Sequence, residues 1–137
     1  MELIRKILEQ SITVAVVGFS TDPRKAAHRV PARMVRHGYE VTPIHPSAPE
    51  ILGRRAYTSL AEFGRPVDLV VVFRPSAEAE EVALEALRLP TKALWLQLGI
   101  TSGGARNLAA NARVDYVEDA CVAIELDRLG LAPRAAS

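Results

Sequence analysis

The feature that most narrows the fold is a set of near-continuous apolar runs, with VDLVVVF at 67–73 the fullest, separated by segments of helical period. A strand with one wet face alternates apolar and polar residues. A strand apolar on both faces must be covered on both, which is the mark of a parallel sheet lined by helices. Such strands read at Thr13–Gly18, Glu40–Ile44, Val67–Phe73, Lys92–Gln97 and Asp115–Val117. Helical patterns lie between them at about 27–37, 60–64, 77–88, 102–112 and 121–129, and another opens the chain at Leu3–Glu9. Ser59-Leu-Ala-Glu62 has capping-box spacing, Ser76 is placed to cap a helix after Arg74-Pro75, and Gly38 follows an arginine-rich last turn. This alternation predicts an α/β fold: an open, doubly wound parallel sheet of about five strands with helices on both faces.

At 137 residues and 49% apolar, the chain has the material for one domain over residues 1–137, with Ala132–Ser137 reading as a frayed tail. No apolar run approaches the ~20 residues of a membrane-spanning helix. MELIRKILEQ mixes charged and apolar residues at helical spacing, unlike a secretory signal. A net charge of +1 supplies no global field for nucleic acid or a membrane surface. Cys121 is the sole cysteine, which excludes an internal disulfide framework and a cysteine-rich metal site. Together these point to a cytoplasmic protein without a metal centre.

In an open parallel sheet, ligands bind beyond the carboxyl ends of the strands, at the switch point beside the first strand. That nominates the loops Gly18–Arg29, His45–Pro49, Phe73–Ser76 and Leu98–Gly103. In VAVVGFSTDPRK, residues 14–25, an apolar strand runs into Gly18, Phe19 and Ser20 and then a basic stretch. A dinucleotide fingerprint would place glycines at 18, 20 and 23 and an acid at the end of the second strand. The chain has Gly18, Ser20 and Pro23; its second strand ends in His45-Pro46, and Glu40 stands at the wrong end of that strand. The NAD pattern fails at both places. What remains is a tight strand-to-helix turn whose backbone N–H groups can hold a pyrophosphate, or an ordinary loop with one structural glycine.

Proline is tolerated in the first turn of a helix, so Pro31 predicts a helix starting no earlier than about Ala27 and an exposed loop at 20–26. Arg24, Lys25 and Arg29 then lie where they could meet phosphate, which arginine grips with two N–H groups. Arg33 and Arg36 read as a solvated helix face, and His28 as a ligand contact or none. His45-Pro46 and Phe73-Arg74-Pro75 could wall a slot for a flat base, although Phe73 also suits a purely buried role. Arg74, at the end of a buried strand, calls for a partner. Gln97 near a carboxyl strand end needs hydrogen bonds, Trp95 reads as core, and Gly99 permits close approach or a turn.

VAVVGFS (14–20), PIHP (43–46), VDLVVVFRP (67–75), LWLQLG (94–99) and DACVAIE (119–125) together span about 11–131. In these motifs and their order the chain resembles the small single-domain CoA-binding proteins, whose Rossmann-like fold is shared with the CoA-binding domain of succinyl-CoA synthetase α subunits. The resemblance implies coenzyme A, a CoA thioester or a CoA disulfide as the small-molecule ligand. It would put the pyrophosphate on the Gly18-Phe19-Ser20 turn and the following helix start, with phosphate charge met by Arg24, Lys25 and Arg29. Adenosine would lie near His45, Pro46, Phe73, Arg74 and Pro75, and pantetheine along Gln97–Gly99. The chain departs from its relatives at Ala26 and Ala27, where a serine is common, at Ala120, often basic, and at Val122, often proline. No Walker loop, Ser-His-Asp pattern or metal-ligand cluster stands out, so the reading is a binder without catalysis of its own. The alternatives are an NAD(P)-type oxidoreductase domain and the CoA-binding subunit of a larger acyl-CoA ligase, with a protein partner or a second copy of the chain. Cys121, just past the fifth strand, reads either as a redox thiol facing CoA or as a small buried hydrophobe.

Overall fold

A computed structural model describes residues 2–133. Its elements run α1 (Glu2–Gln10), β1 (Thr13–Val17), α2 (Ala26–Arg36), β2 (Glu40–Ile44), β3 (Glu50–Ile51), β4 (Arg54–Arg55), α3 (Leu60–Phe63), β5 (Val67–Val72), α4 (Ser76–Ala86), β6 (Thr91–Leu96), α5 (Gly103–Asn111), β7 (Asp115–Val117) and α6 (Val122–Leu129). Five strands pair in parallel in the order β2-β1-β5-β6-β7, the doubly wound arrangement that the apolar runs predict. Of the tail expected at Ala132–Ser137, residues 134–137 lie outside the described residues. Among the described residues no helix is long and apolar enough to cross a membrane.

The period of two along each strand divides the core. Val14, Val16, Leu69, Val71 and Trp95 meet α1, α2 and α6 on one face. Ala15, Val70, Val72, Leu94 and Leu96 meet α3, α4 and α5 on the other. The second face packs closely because α4 and α5 turn small side chains inward: Ala79, Ala83, Ala86, Ala105 and Ala109 are fully buried. The amino end of β1 is tied to β5 by Asp68. Its Oδ2 accepts the N–H groups of Ile12 (2.8 Å) and Thr13 (3.1 Å), and Thr13 Oγ1 accepts the Asp68 N–H (2.9 Å).

Several boundaries differ from the expected ones, each for a local reason. The short antiparallel pair β3–β4 is an addition, formed around Leu52 and Gly53, both at positive φ (54° and 71°). This is the backbone a two-residue hairpin turn requires. Helix α2 begins at Ala26, one residue early, with Pro31 well inside it. A proline there leaves the Ala27 carbonyl without its helical donor. That carbonyl instead accepts the Ser20 N–H at 3.0 Å, so the missing helix bond is replaced by one to the loop. Ser76 is the first residue of α4 and not its cap; Pro75 holds the cap position, and Ser76 Oγ accepts the Thr101 N–H at 3.0 Å. At α3, Ser59 Oγ accepts the Glu62 N–H (3.1 Å), while Glu62 Oε1 reaches back to the Thr58 N–H (2.9 Å).

Candidate functional site

From β1 the sheet extends to β2 on one side and to β5 on the other, so a crevice opens between the loops that leave β1 and β5. Backbone bonds run across this carboxyl edge. The Gly18 N–H donates to Ile44 O (3.2 Å), Phe73 N–H to Val17 O (2.8 Å), and Gln97 N–H to Val72 O (3.2 Å). Gln97 Oε1 then accepts the Val122 N–H (3.0 Å) at the start of α6, next to Cys121. Gly18, His45, Phe73, Gln97 and Cys121 are thereby brought into one row along the edge. Gly18 sits at φ +88°, and a Cβ on it would stand 2.9 Å from Phe73 O and 3.2 Å from Arg74 Cδ. Only glycine lets the two loops approach this closely.

The first loop is fixed from within. The Ser20 N–H reaches Ala27 O, its carbonyl accepts from His28 Nδ1 (2.7 Å), and its Oγ accepts the Asp22 N–H (3.0 Å). A carbonyl only accepts, so Nδ1 of His28 carries the proton. His28 is a clamp on the loop, its ring edge-on to Phe19 at 5.6 Å. Phe19 is fully buried as a whole residue and packs in the core beneath the loop. Asp22 Oδ1 accepts from the Arg24 backbone N–H (2.9 Å) and Nε (3.0 Å), and Oδ2 from the guanidinium (3.0 Å). These bonds hold the Asp22 carboxyl below its usual range and raise the guanidinium of Arg24. Arg29 donates to the Arg24 carbonyl. Lys25 is exposed and occupies the cap position of α2 without a side-chain capping bond.

Across the crevice, Arg74 has the partner its position called for. Its Nε and a terminal nitrogen lie 2.8–3.1 Å from the Glu78 carboxylate, one turn along α4. Phe73 is half-buried against the core, while Pro75 and Pro46 are exposed. His45 Nδ1 accepts the N–H groups of Ser47 (3.1 Å) and Ala48 (2.9 Å), closing the turn over Pro46. Gln97 is 4% exposed, and its amide oxygen is committed to the start of α6. Trp95 is core, as read, with Nε1 donating to Ala120 O at 2.8 Å. Gly99 has φ +85° with no atom within 4 Å of a would-be Cβ, so a turn accounts for it and close approach does not. Cys121 is the cap residue of α6, half-buried against the core and making no capping bond. Arg33, read as solvated, instead pairs with Asp127 of α6 at 2.5 Å.

The helix starts differ in a way that bears on ligands. Ser59 and Ser102 cap α3 and α5 with their side chains. Helices α2 and α4, which flank the crevice, start at Lys25 and Pro75 with no side-chain cap. The first N–H groups of a helix have no partner inside it, and its start carries partial positive charge, so both starts suit an anion. Asp22 and Glu78 were missed in the sequence as members of this site. The signal was present in their spacing, i to i+2 with Arg24 and i+4 with Arg74. A separate cavity of about 410 Å³ lies beside β2, lined by Thr13, Glu40, Arg54, Tyr57 and Arg65 among others. It opens at the amino ends of β1 and β5, the wrong end for a switch-point ligand, and Arg65 there is bonded to Tyr57 OH (2.6 Å). Among the described residues no three His, Cys, Asp or Glu side chains are grouped to hold a metal ion.

Comparison with known proteins adds independent findings. A family model described as a CoA binding domain matches residues 12–127. The protein YneT of Bacillus subtilis is 35% identical over 121 residues, which are 88% of this chain and 90% of YneT. A hypothetical protein from Pyrococcus horikoshii superposes with a TM-score of 0.90 at 30% identity, over 95% of this chain and 92% of that one. A dinucleotide-forming acetyl-coenzyme A synthetase from Candidatus Korarchaeum cryptofilum shares the fold at a TM-score of 0.70 and 21% identity, over 83% of this chain and 27% of the synthetase.

Proposed function

The chain belongs to the CoA-binding domain family, and from that premise we propose that residues 1–137 act as a single nucleotide-binding domain that holds coenzyme A, or a CoA thioester, along the carboxyl edge of its sheet without chemistry of its own. The observation that carries this reading is the close approach of Gly18 to Phe73 and Arg74, between two helix starts that lack side-chain caps. CoA offers a pyrophosphate, a 3′-phosphate, an adenine and a long neutral pantetheine. The pyrophosphate suits the Gly18–Ser20 turn and the start of α2, which together form the phosphate loop. Lys25, Arg24 and Arg29 supply positive charge for the phosphates. The exposed rings of Pro46 and Pro75, with His45, Phe73 and Arg74, offer the adenine a wall. Pantetheine would run past Gln97 and Gly99 toward Cys121. An NAD ribose is poorly served, because β2 ends at Ile44 and is followed not by an acid but by His45, whose Nδ1 is already occupied by two N–H groups.

The same reading fits a CoA-binding subunit that works with a protein partner or a second copy, since the chain spans 27% of the synthetase whose fold it shares. The cytoplasm is the compartment where CoA chemistry would meet it. The test is a thermal-shift series with CoA, acetyl-CoA, dephospho-CoA, NAD and NADP. A ligand at a hundred times its Kd adds about 2.7 kcal/mol, or about 10 °C for a domain of this size. CoA is expected to give that shift and NAD almost none. A larger shift with NAD overturns the assignment.

A further inference from the structure

The cavity of about 410 Å³ beside β2 stands apart from the crevice. Thr13 and Val67 line it at the first residues of β1 and β5, whereas the crevice opens past the last ones, at Gly18 and Phe73. The cavity gathers three arginines, Arg54, Arg55 and Arg65, against one acid, the exposed Glu40. Among the described residues no carboxylate pairs with any of the three, although Arg5, Arg24, Arg33, Arg74, Arg106 and Arg128 each have one.

Tyr57 organises this group. The Arg55 guanidinium carbon lies 4.7 Å from the centre of the Tyr57 ring and that of Arg65 lies 5.6 Å away, with Arg65 also 4.9 Å from the centre of Phe63. Aromatic faces attract a guanidinium and hold its planar fork. Two like charges drawn to one ring repel each other, and an anion between them removes that cost. Tyr57 itself is 9% exposed, and its phenol oxygen accepts from Arg65 at 2.6 Å. A phenol that accepts in this way still has a proton to give, and among the described residues nothing takes it. A buried donor calls for an acceptor, and the wall around this one is cationic.

We propose that this cavity is a second ligand site, which takes a phosphate group whose oxygens accept from the Tyr57 hydroxyl and from Arg55 and Arg65. A dianion suits three guanidiniums facing one carboxylate better than a singly charged ion does, and arginine forks match phosphate geometry. The volume admits a small phosphorylated molecule as well as the free ion. The site lies at the opposite end of the strands from the crevice and does not depend on the CoA reading.

The test titrates the protein with inorganic phosphate, glycerol 3-phosphate and glycerol while proton–nitrogen NMR spectra are followed. Both phosphates are expected to shift the amides of Val41, Thr42 and Gly53–Tyr57 saturably, and glycerol to leave them in place. Tighter binding of glycerol 3-phosphate supports a phosphorylated molecule as the occupant; equal binding supports the free ion. Tyr57→Phe keeps the ring and removes only the donor, so it should weaken phosphate about ten-fold, and Arg65→Gln should weaken it at least as much. Arg88→Gln removes an exposed charge just beyond α4 and should bind as wild type does. Absence of these shifts, shifts confined to Gly18–Arg29, or a Tyr57→Phe protein that binds phosphate as tightly as wild type would overturn the proposal.

Discussion

An alanine at position 18 would need a backbone at φ +88° and room for a Cβ 2.9 Å from the Phe73 carbonyl oxygen, and the fold supplies neither. Gly53 is a natural control, because it too has positive φ (+71°) but nothing within 4 Å of a Cβ. Gly18→Ala is therefore expected to cost about 1–3 kcal/mol more than Gly53→Ala, since the backbone strain is common to both and only Gly18 forces an added methyl into occupied space. Urea midpoints of the two variants measure it, and equal losses would remove the close approach as a constraint. At this scale the sequence was legible wherever a residue type has few uses. Gly18 at a strand end, Arg74 in want of a partner and Gln97 in want of hydrogen bonds were all read correctly as demands. What answered them was not readable. Gln97 turns its oxygen to the start of α6, 25 residues away, and His28 clamps a carbonyl eight residues back. Such pairings exist only once the strands are in register.

Among the elements, β1 depends on a single carboxylate at its amino end. Burial opposes ionisation of Asp68, but the N–H groups of Ile12 and Thr13 and the ammonium of Lys92 outweigh it and hold the carboxyl below its ordinary value of 3.8. A group that ionises more readily in the folded state stabilises the fold above its unfolded value and ceases to do so as pH falls through its folded one. Asp68→Asn is accordingly expected to lose about 1–3 kcal/mol at neutral pH, where a neutral amide replaces the carboxylate that meets the strand N–H groups and Lys92, and much less in acid below the folded-state value of Asp68. Denaturant melts of both proteins at the two pH values decide it; a loss that does not shrink in acid would mean that ionisation of Asp68 is not what holds β1. Strands β1, β2, β5 and β6 and the longer helices were legible because each spans enough residues to reveal a period, whereas the four-residue α3 was announced by its Ser59–Glu62 capping box. The pair β3–β4 was not, since two residues per strand carry no period and only the turn chemistry of Leu52-Gly53 announces it.

For the molecule as a whole, the order β2-β1-β5-β6-β7 puts the first strand made near the middle of the finished sheet. Val14 lies beside Val41 on one side and Leu69 on the other. Contacts that far apart in sequence are slow to form, because the intervening loop must close before they contribute. On the ribosome, TVAVV therefore emerges as a bare apolar strand and waits for more than fifty residues of further synthesis before its second neighbour arrives. A chain halted after residue 66 is expected to leave the β1 amides unprotected in hydrogen exchange, whereas one that includes β5 and β6 protects them; early protection in the shorter chain would contradict this. The crevice inherits the same timetable. Its two walls, Gly18 and Phe73, are translated far apart and meet only when β5 docks, so no nascent chain could capture ligand before the central half of the sheet is complete.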